Sequence, residues 1–481
     1  MMRISLLILS IFYFSSLYSQ KDHDIQAFGI IDKAELQMSE CDFDKNAEAV
    51  VLFDIEEVRC LLYAHSVYSE IHHHIRIKIL KNKGLERADI KIPFLKYQNT
   101  ESIGNIDAQT YNLDPSGNII VTKLEKKYIF DKVIDKRVSE MIFTFPEVKV
   151  GSIIEYEFKE SASVGVGLKN WYFQHSIPVK LSRYTIDFPS EIEVSSQSFC
   201  TLPVDQKKKS DRMHSVSTYS MVNIPALRDE PFISCEEDYL QRVETRIIAL
   251  NAPGRRIDLT RSWPVIVNSM MEDQDFGRQL FVHIPRTDDL EQMLEKINDP
   301  YQKMIIIHRY VLQHMGWNGY SNIWANNGVK SAWKDKKGTS GEINLILINL
   351  LKDAGLNAYP ILVSTRLHGR IKMETPAFSQ FNKVMAYVEI KDQYFVLDAT
   401  DKYASPKLIP IDVMYSMGLI IERFESFEWG WKSLWDEKQR FNQLVLLNGS
   451  IDTLGILTGN ATVSSTDYSR CARLRDLGEG R

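Results

Sequence analysis

Lys337-Gly338-Thr339-Ser340-Gly341-Glu342 opens onto an apolar run that closes at Asp353-Ala354-Gly355. Within the run, Ile343, Ile346, Leu347, Leu350 and Leu351 recur at the spacing of one broad helical face, so a buried helix is expected from Gly341 to Asp353. Gly355 stands where a left-handed C-terminal cap belongs. Ser340 then falls in the first turn, where unpaired N–H groups carry about half a positive charge. A cysteine at that place would have a lowered thiol pKa and would be a good nucleophile; this chain has a serine. Strand-like runs follow at Ala358 to Ser364, at Phe381-Asn382-Lys383-Val384 and on to Ile390, and at Tyr394 to Leu397, the last leading into Asp398-Ala399-Thr400.

Upstream of this stretch the pattern is also helical. Thr287 can cap a helix with Asp288 and Asp289 in its first turn, where negative charge is favoured. Met304, Ile307, His308 and Val311 recur at helical spacing, with Trp317 beyond them. Helices followed by paired strands predict an α+β unit. From about residue 46 to 248 the period is two instead. Ile71, His73, Ile75, Ile77 and Ile79 share one face of a strand, and His72, His74, Arg76 and Lys78 the other. Turn signals such as Asp114-Pro115-Ser116-Gly117 punctuate these runs, which predicts an antiparallel β-sandwich with a basic outer face at Arg76 and Lys78. Asn251-Ala252-Pro253-Gly254 reads as the loop between the two units. Alternation resumes near Phe441, as the opening of a further β-domain or an edge strand added to an earlier sheet.

The expected organisation is therefore α+β and multidomain: residues 1–19 a signal peptide, 20–248 the β-sandwich, 249–440 the α+β core and 441–481 a partial β segment. Arg3 followed by the uncharged apolar stretch Ile4 to Leu17, with Ser19 before Gln20, has the form of a secretory signal and is too short to span a bilayer. The mature chain is expected to be exported, periplasmic or at the cell surface, with no integral membrane segment. The formal charge of -5, from 58 basic and 63 acidic residues interleaved along the chain, argues against a nucleic-acid partner. The cysteines, Cys41, Cys60, Cys200, Cys235 and Cys471, are odd in number and show no CxxC spacing, so no metal and no cofactor are expected. Cys41–Cys60 and Cys200–Cys235 bridges are both open to the spacing.

The order of Ser340, Lys383 and Asp398 along the chain resembles that of transglutaminase-like proteins, relatives of the papain-type proteases. Those enzymes carry a Cys opening a helix, a His on a following strand and an Asp closing the next. The chain also resembles a group of exported bacterial proteins that join such a core to an N-terminal β-domain of unknown function. That resemblance runs through Phe145-Pro146-Glu147-Val148-Lys149-Val150-Gly151-Ser152, Trp171-Tyr172-Phe173-Gln174, Ile224-Pro225-Ala226 and Ser364-Thr365-Arg366-Leu367-His368-Gly369. It implies a papain-like fold for the core and places Ser340, Lys383 and Asp398 at the triad positions, two of them substituted.

The substitutions decide the expected chemistry. Serine lacks the anion population of cysteine and needs a base, while lysine, with an ordinary pKa near ~10.4, is protonated at neutral pH. Beside Asp398 it is expected to form an ion pair. The leading expectation is a non-catalytic protein, a pseudoenzyme that binds a peptide, a glycan or an envelope protein. The other is an acyl-transfer enzyme (protease, amidase or transamidase) using a Ser340–Lys383 pair. Of the remaining candidates, His72-His73-His74 reads as a strand rather than a metal site, and Arg366 and His368 as a turn rather than a ligand contact. Trp317 and Trp333 read as core rather than a groove wall, and Trp429, Trp431 and Trp435 as an interface rather than an exposed patch.

Overall fold

A computed structural model describes residues 25–63, 66–163, 167–228, 230–231, 233–252, 254–423 and 427–478. The expected signal peptide, 1–19, lies outside the described residues. Among them, no helix is long and apolar enough to cross a membrane.

The period-two runs build an eight-stranded sheet. Its spatial order is Asp205–Ser210, His214–Ile224, Val179–Pro189, Ala49–Tyr63, Ser66–Ile79, Ile153–Ser163, Glu101–Leu113 and Ile119–Lys123. All neighbours are antiparallel except Ala49–Tyr63 with Val179–Pro189, which are parallel, so the purely antiparallel expectation is corrected at the centre of the sheet. One face of this sheet packs on two smaller sheets. Ile75, Tyr156 and Ile186 share a core with Phe143 of a three-stranded sheet and with Trp171, Ile192 and Val243 of a four-stranded one. The strand-rich part extends beyond residue 248, because Arg255–Asp258 still pairs with Arg242–Ala252; Pro253 of the expected loop lies outside the described residues.

The face expected to be basic and solvent-facing is covered. Arg76 and Lys78 are both fully buried. The segment 25–40, with its short helix Lys33–Gln37, lies over them: Arg76 donates to Gln26 at 2.8 Å, to the Ile30 carbonyl at 2.6 Å and to Glu35 at 3.0 Å. Lys78 donates to the Leu36 carbonyl at 2.6 Å. Beneath, Glu155 accepts from Arg76 at 2.7 Å and from His74 at 2.9 Å. Burial alone would raise the Glu155 carboxyl, but these partners hold it below the ordinary carboxylate range.

On the opposite face of the same strands, Asp54 bonds His73 at 2.6 Å and His175 at 2.7 Å. Burial pushes the nearby Glu56 carboxyl up to about 7. His73 is raised above its ordinary value because the negative charge of Asp54 outweighs desolvation. Both groups therefore bind protons more tightly when folded. The Glu56 contribution erodes between its unfolded value near 4.5 and about 7, and the His73 contribution is lost as pH rises through its folded pKa. Stability of these strands should fall by on the order of 2 kcal/mol between pH 5.5 and 8.5. Hydrogen exchange of the amides of strands Ala49–Tyr63 and Ser66–Ile79 at the two pH values measures this. Glu56→Gln should remove much of the slope, and an unchanged slope would refute the assignment.

The α+β part is arranged around the helix Ser340–Asp353, one residue longer at its start than expected. It packs on a five-stranded antiparallel sheet ordered Gln393–Leu397, Lys383–Ile390, Asn357–Val363, Met417–Arg423 and Phe427–Ser433. Helices Trp263–Glu272, Asp288–Leu294, Pro300–His314 and Val329–Asp335 accompany it. Thr287 caps the second of these, accepting from Leu290 N, and Gly355 ends the Ser340 helix with a positive φ of 80°. The aromatic segment near 427–435 belongs to this sheet. Trp431 meets Trp263 edge to face at 5.1 Å, whereas Trp435 stacks on exposed Tyr415; the Trp429 side chain lies outside the described residues.

The C-terminal segment forms a small sheet of its own rather than an edge strand. Phe441–Ile451 and Leu457–Thr466 form a hairpin that, among the described residues, pairs with no earlier sheet. A helix, Asp467–Gly478, follows and docks by Tyr468, whose hydroxyl donates to the Ile409 carbonyl at 2.8 Å. No bridge forms between cysteines: all five are free thiols.

Candidate functional site

The start of the Ser340 helix is capped locally. The Thr339 hydroxyl accepts from Glu342 N at 3.3 Å and the Glu342 carboxylate accepts from Thr339 N at 2.9 Å, a closed capping box. The other Glu342 oxygen accepts from Asn327 N at 2.8 Å, which draws the 320–327 loop over the helix end. Gly341 permits this approach, since a Cβ there would lie 2.4 Å from the Trp324 carbonyl oxygen.

That loop closes around Ser340, which is fully buried. Its hydroxyl donates to the Asn322 carbonyl at 2.9 Å and accepts from Asn322 N at 2.8 Å. Its own N–H donates to the Tyr320 carbonyl at 3.0 Å. An oxyanion would need such an N–H free, and here it has a partner. The strand-rich part reinforces the loop: Asp135 accepts from Asn322 at 3.4 Å, and Arg137 reaches Asp273 at 3.1 Å and Asp275 at 3.0 Å while lying over the Trp324 ring.

Lys383 opens its strand and Asp398 directly follows the next, at the same end of an antiparallel pair in which Ala386 faces Leu397. The two are buried and form an ion pair, and Lys383 also reaches Asp412 at 3.3 Å. Desolvation would lower the Lys383 pKa, but the charges of Asp398 and Asp412 raise it above its ordinary value. Burial would likewise raise Asp398, yet Lys383 and hydrogen bonds from Asn344 and Thr400 hold it low. Asp412 is raised, chiefly by desolvation. The ammonium thus faces two carboxylates, while the Ser340 hydroxyl faces main-chain atoms of Asn322.

Sequence reasoning missed two supports of Asp398. Asn344, one turn after Ser340, donates to Asp398 at 3.0 Å and to the Val384 carbonyl at 2.9 Å, and accepts from Ala399 N at 2.9 Å. His308 bonds the Asp398 carbonyl at 3.0 Å. Both were visible as polar residues interrupting apolar helical stripes. Of the weighed residues, His72, His73 and His74 bond three different carboxylates, Glu157, Asp54 and Glu155. His368 bonds Ser364 at 2.9 Å within its turn. Trp333 is buried, whereas Trp317 lies partly exposed on the wall of a cavity of about 660 Å3 that Lys383, Asp398 and Asp412 also line. Ser340 is not part of that wall.

The fold is that of a mixed α/β chain dominated by strands, in which a strand-rich part is joined to a helix-and-sheet part. Residues 67–228 match a family described as a domain of unknown function with a solved structure, DUF3857. No curated protein matches the sequence. Among solved structures, the chain is similar to a candidate protease from Parabacteroides distasonis, with a TM-score of 0.56, 13% identity, and coverage of 84% of this chain and 78% of that one. At that identity the likeness is one of fold.

Proposed function

We propose that the α+β part is a transglutaminase-like core without catalytic activity, and that the protein binds a peptide, glycan or envelope-protein partner in the cavity beside Lys383. The carrying observation is the contact of the buried Lys383 ammonium with both buried Asp398 and partly exposed Asp412. A lysine held protonated cannot take the proton of a serine hydroxyl. The closed environment of Ser340 supports the same reading, because neither its Oγ nor its N–H faces the cavity chemistry. The similar fold of a candidate protease supports a papain-like ancestry. Export of the mature chain rests on the sequence of residues 1–19.

The experiment compares the protein with Ser340→Ala and Lys383→Met variants in peptide hydrolysis and amine transamidation, up to pH 9. The expected result is no turnover in any of the three. Turnover in the parent that disappears in both variants would establish a Ser340–Lys383 acyl-transfer enzyme and refute inertness.

A further inference from the structure

The cavity is larger than the ion pair at its base requires. At about 660 Å3 it falls within the range of sites that enclose small molecules or short peptide segments. Its walls are mainly apolar: Leu312 comes from the helix Pro300–His314, Met315 from its C-cap, Trp317 from the short strand Gly316–Trp317, and Phe441 and Tyr468 from the C-terminal unit. The last helix is fixed in place as a wall by Arg475, which pairs with Asp401 at 2.6 Å.

The charges of the lining are unevenly matched. Asp398 and Asp412 are paired with Lys383, and Asp401 with Arg475. Arg366 and Lys402 also line the cavity with exposed side chains, and neither has an ionic partner among the described residues. The lining thus holds four cations, Lys383, Arg366, Lys402 and Arg475, against three carboxylates, Asp398, Asp401 and Asp412, and the excess positive charge falls on the Arg366 and Lys402 side. An apolar chamber with uncompensated positive charge selects a ligand that is apolar along its body and anionic at one end.

We propose that this cavity binds an apolar chain ending in a carboxylate, with the chain against Leu312, Met315 and Trp317 and the carboxylate on Arg366 and Lys402. The inference rests on the reading of the cavity as a binding site and names its ligand class. Two sources share this chemistry: the free C-terminus of an apolar peptide and a long-chain fatty acid.

The test uses the full chain and isothermal titration with N-acetyl-Ala-Leu-Leu-Phe as the free acid, the same peptide as the C-terminal amide, and dodecanoate. The free acid should bind about tenfold more tightly than the amide, the loss expected of one charge-assisted hydrogen bond. Arg366→Gln combined with Lys402→Gln should abolish that difference without changing Tm, since both side chains are exposed. Dodecanoate binding that is lost in the same double variant, without peptide binding, would support the proposal with a lipid as its source. Equal affinity for acid and amide would overturn the carboxylate selection while leaving the cavity a binding site. Absence of binding by all three would overturn the ligand class. Loss of catalytic inertness is read separately, in the Ser340→Ala turnover assay.

Discussion

Asp398→Ala should destabilise the α+β part by about 3 kcal/mol, the range for removing one member of a buried ion pair. The substitution leaves the Lys383 ammonium buried with Asp412 alone, at 3.3 Å. It also removes the acceptor of Thr400 and one of the two acceptors of the Asn344 amide, which bond Asp398 at 2.8 Å and 3.0 Å. Lys383→Met should be milder, because the same two donors still serve the carboxylate. In the double variant the methionine fills the aliphatic path of the lysine, and the one charge that loses its partner, Asp412, is partly exposed and can be solvated, so stability should recover relative to Asp398→Ala. Denaturant unfolding of the four proteins closes a double-mutant cycle. A coupling below about 0.5 kcal/mol would show that the pair is not a unit and would weaken the reading of Lys383 as a fixed cation.

Arg76→Met should cost about 3–5 kcal/mol and release the N-terminal segment. Arg76 is fully buried and joins Glu155 on the sheet to Gln26, Glu35 and the Ile30 carbonyl of the covering segment. Without the guanidinium, Glu155 retains His74 and Tyr111 as partners but loses its one permanent cation. The segment 25–40 loses three of its anchors at once. Limited proteolysis should then cut within it at protease levels that leave the parent intact, and Tm should fall. A variant with parental Tm and an intact segment would show that the apolar contacts of Leu36 hold the segment without Arg76.

Much of the candidate site could be read locally. Thr339-x-x-Glu342 before an apolar run marks a helix start, and it holds because both capping bonds lie within four residues. The strands bearing Lys383 and preceding Asp398 could be read as short apolar runs, and their adjacency from the short turn between them. The partners of Ser340 could not, because Asn322 lies eighteen positions earlier in an irregular loop with no periodicity to read. Asn344 and His308 are polar residues on apolar faces, and only their meeting at Asp398 explains them.

The same division runs through the fold. The sequence alone marked the period-two strands of the β-rich part, the Ser340 helix to within one residue of its start, and the three strand runs that follow it. These are local properties, set by side-chain period, capping and residue chemistry. The tertiary structure alone decided that Arg76 and Lys78 lie inside, since a strand face is outer only until another segment covers it. It decided that Met417–Arg423 and Phe427–Ser433 extend the core sheet, and that the C-terminal hairpin pairs with itself before a helix docks beside the cavity. It also decided that Ser340 and Lys383 bond different partners, because hydrogen bonds and ion pairs between distant segments depend on how the elements pack and not on the order in which they occur.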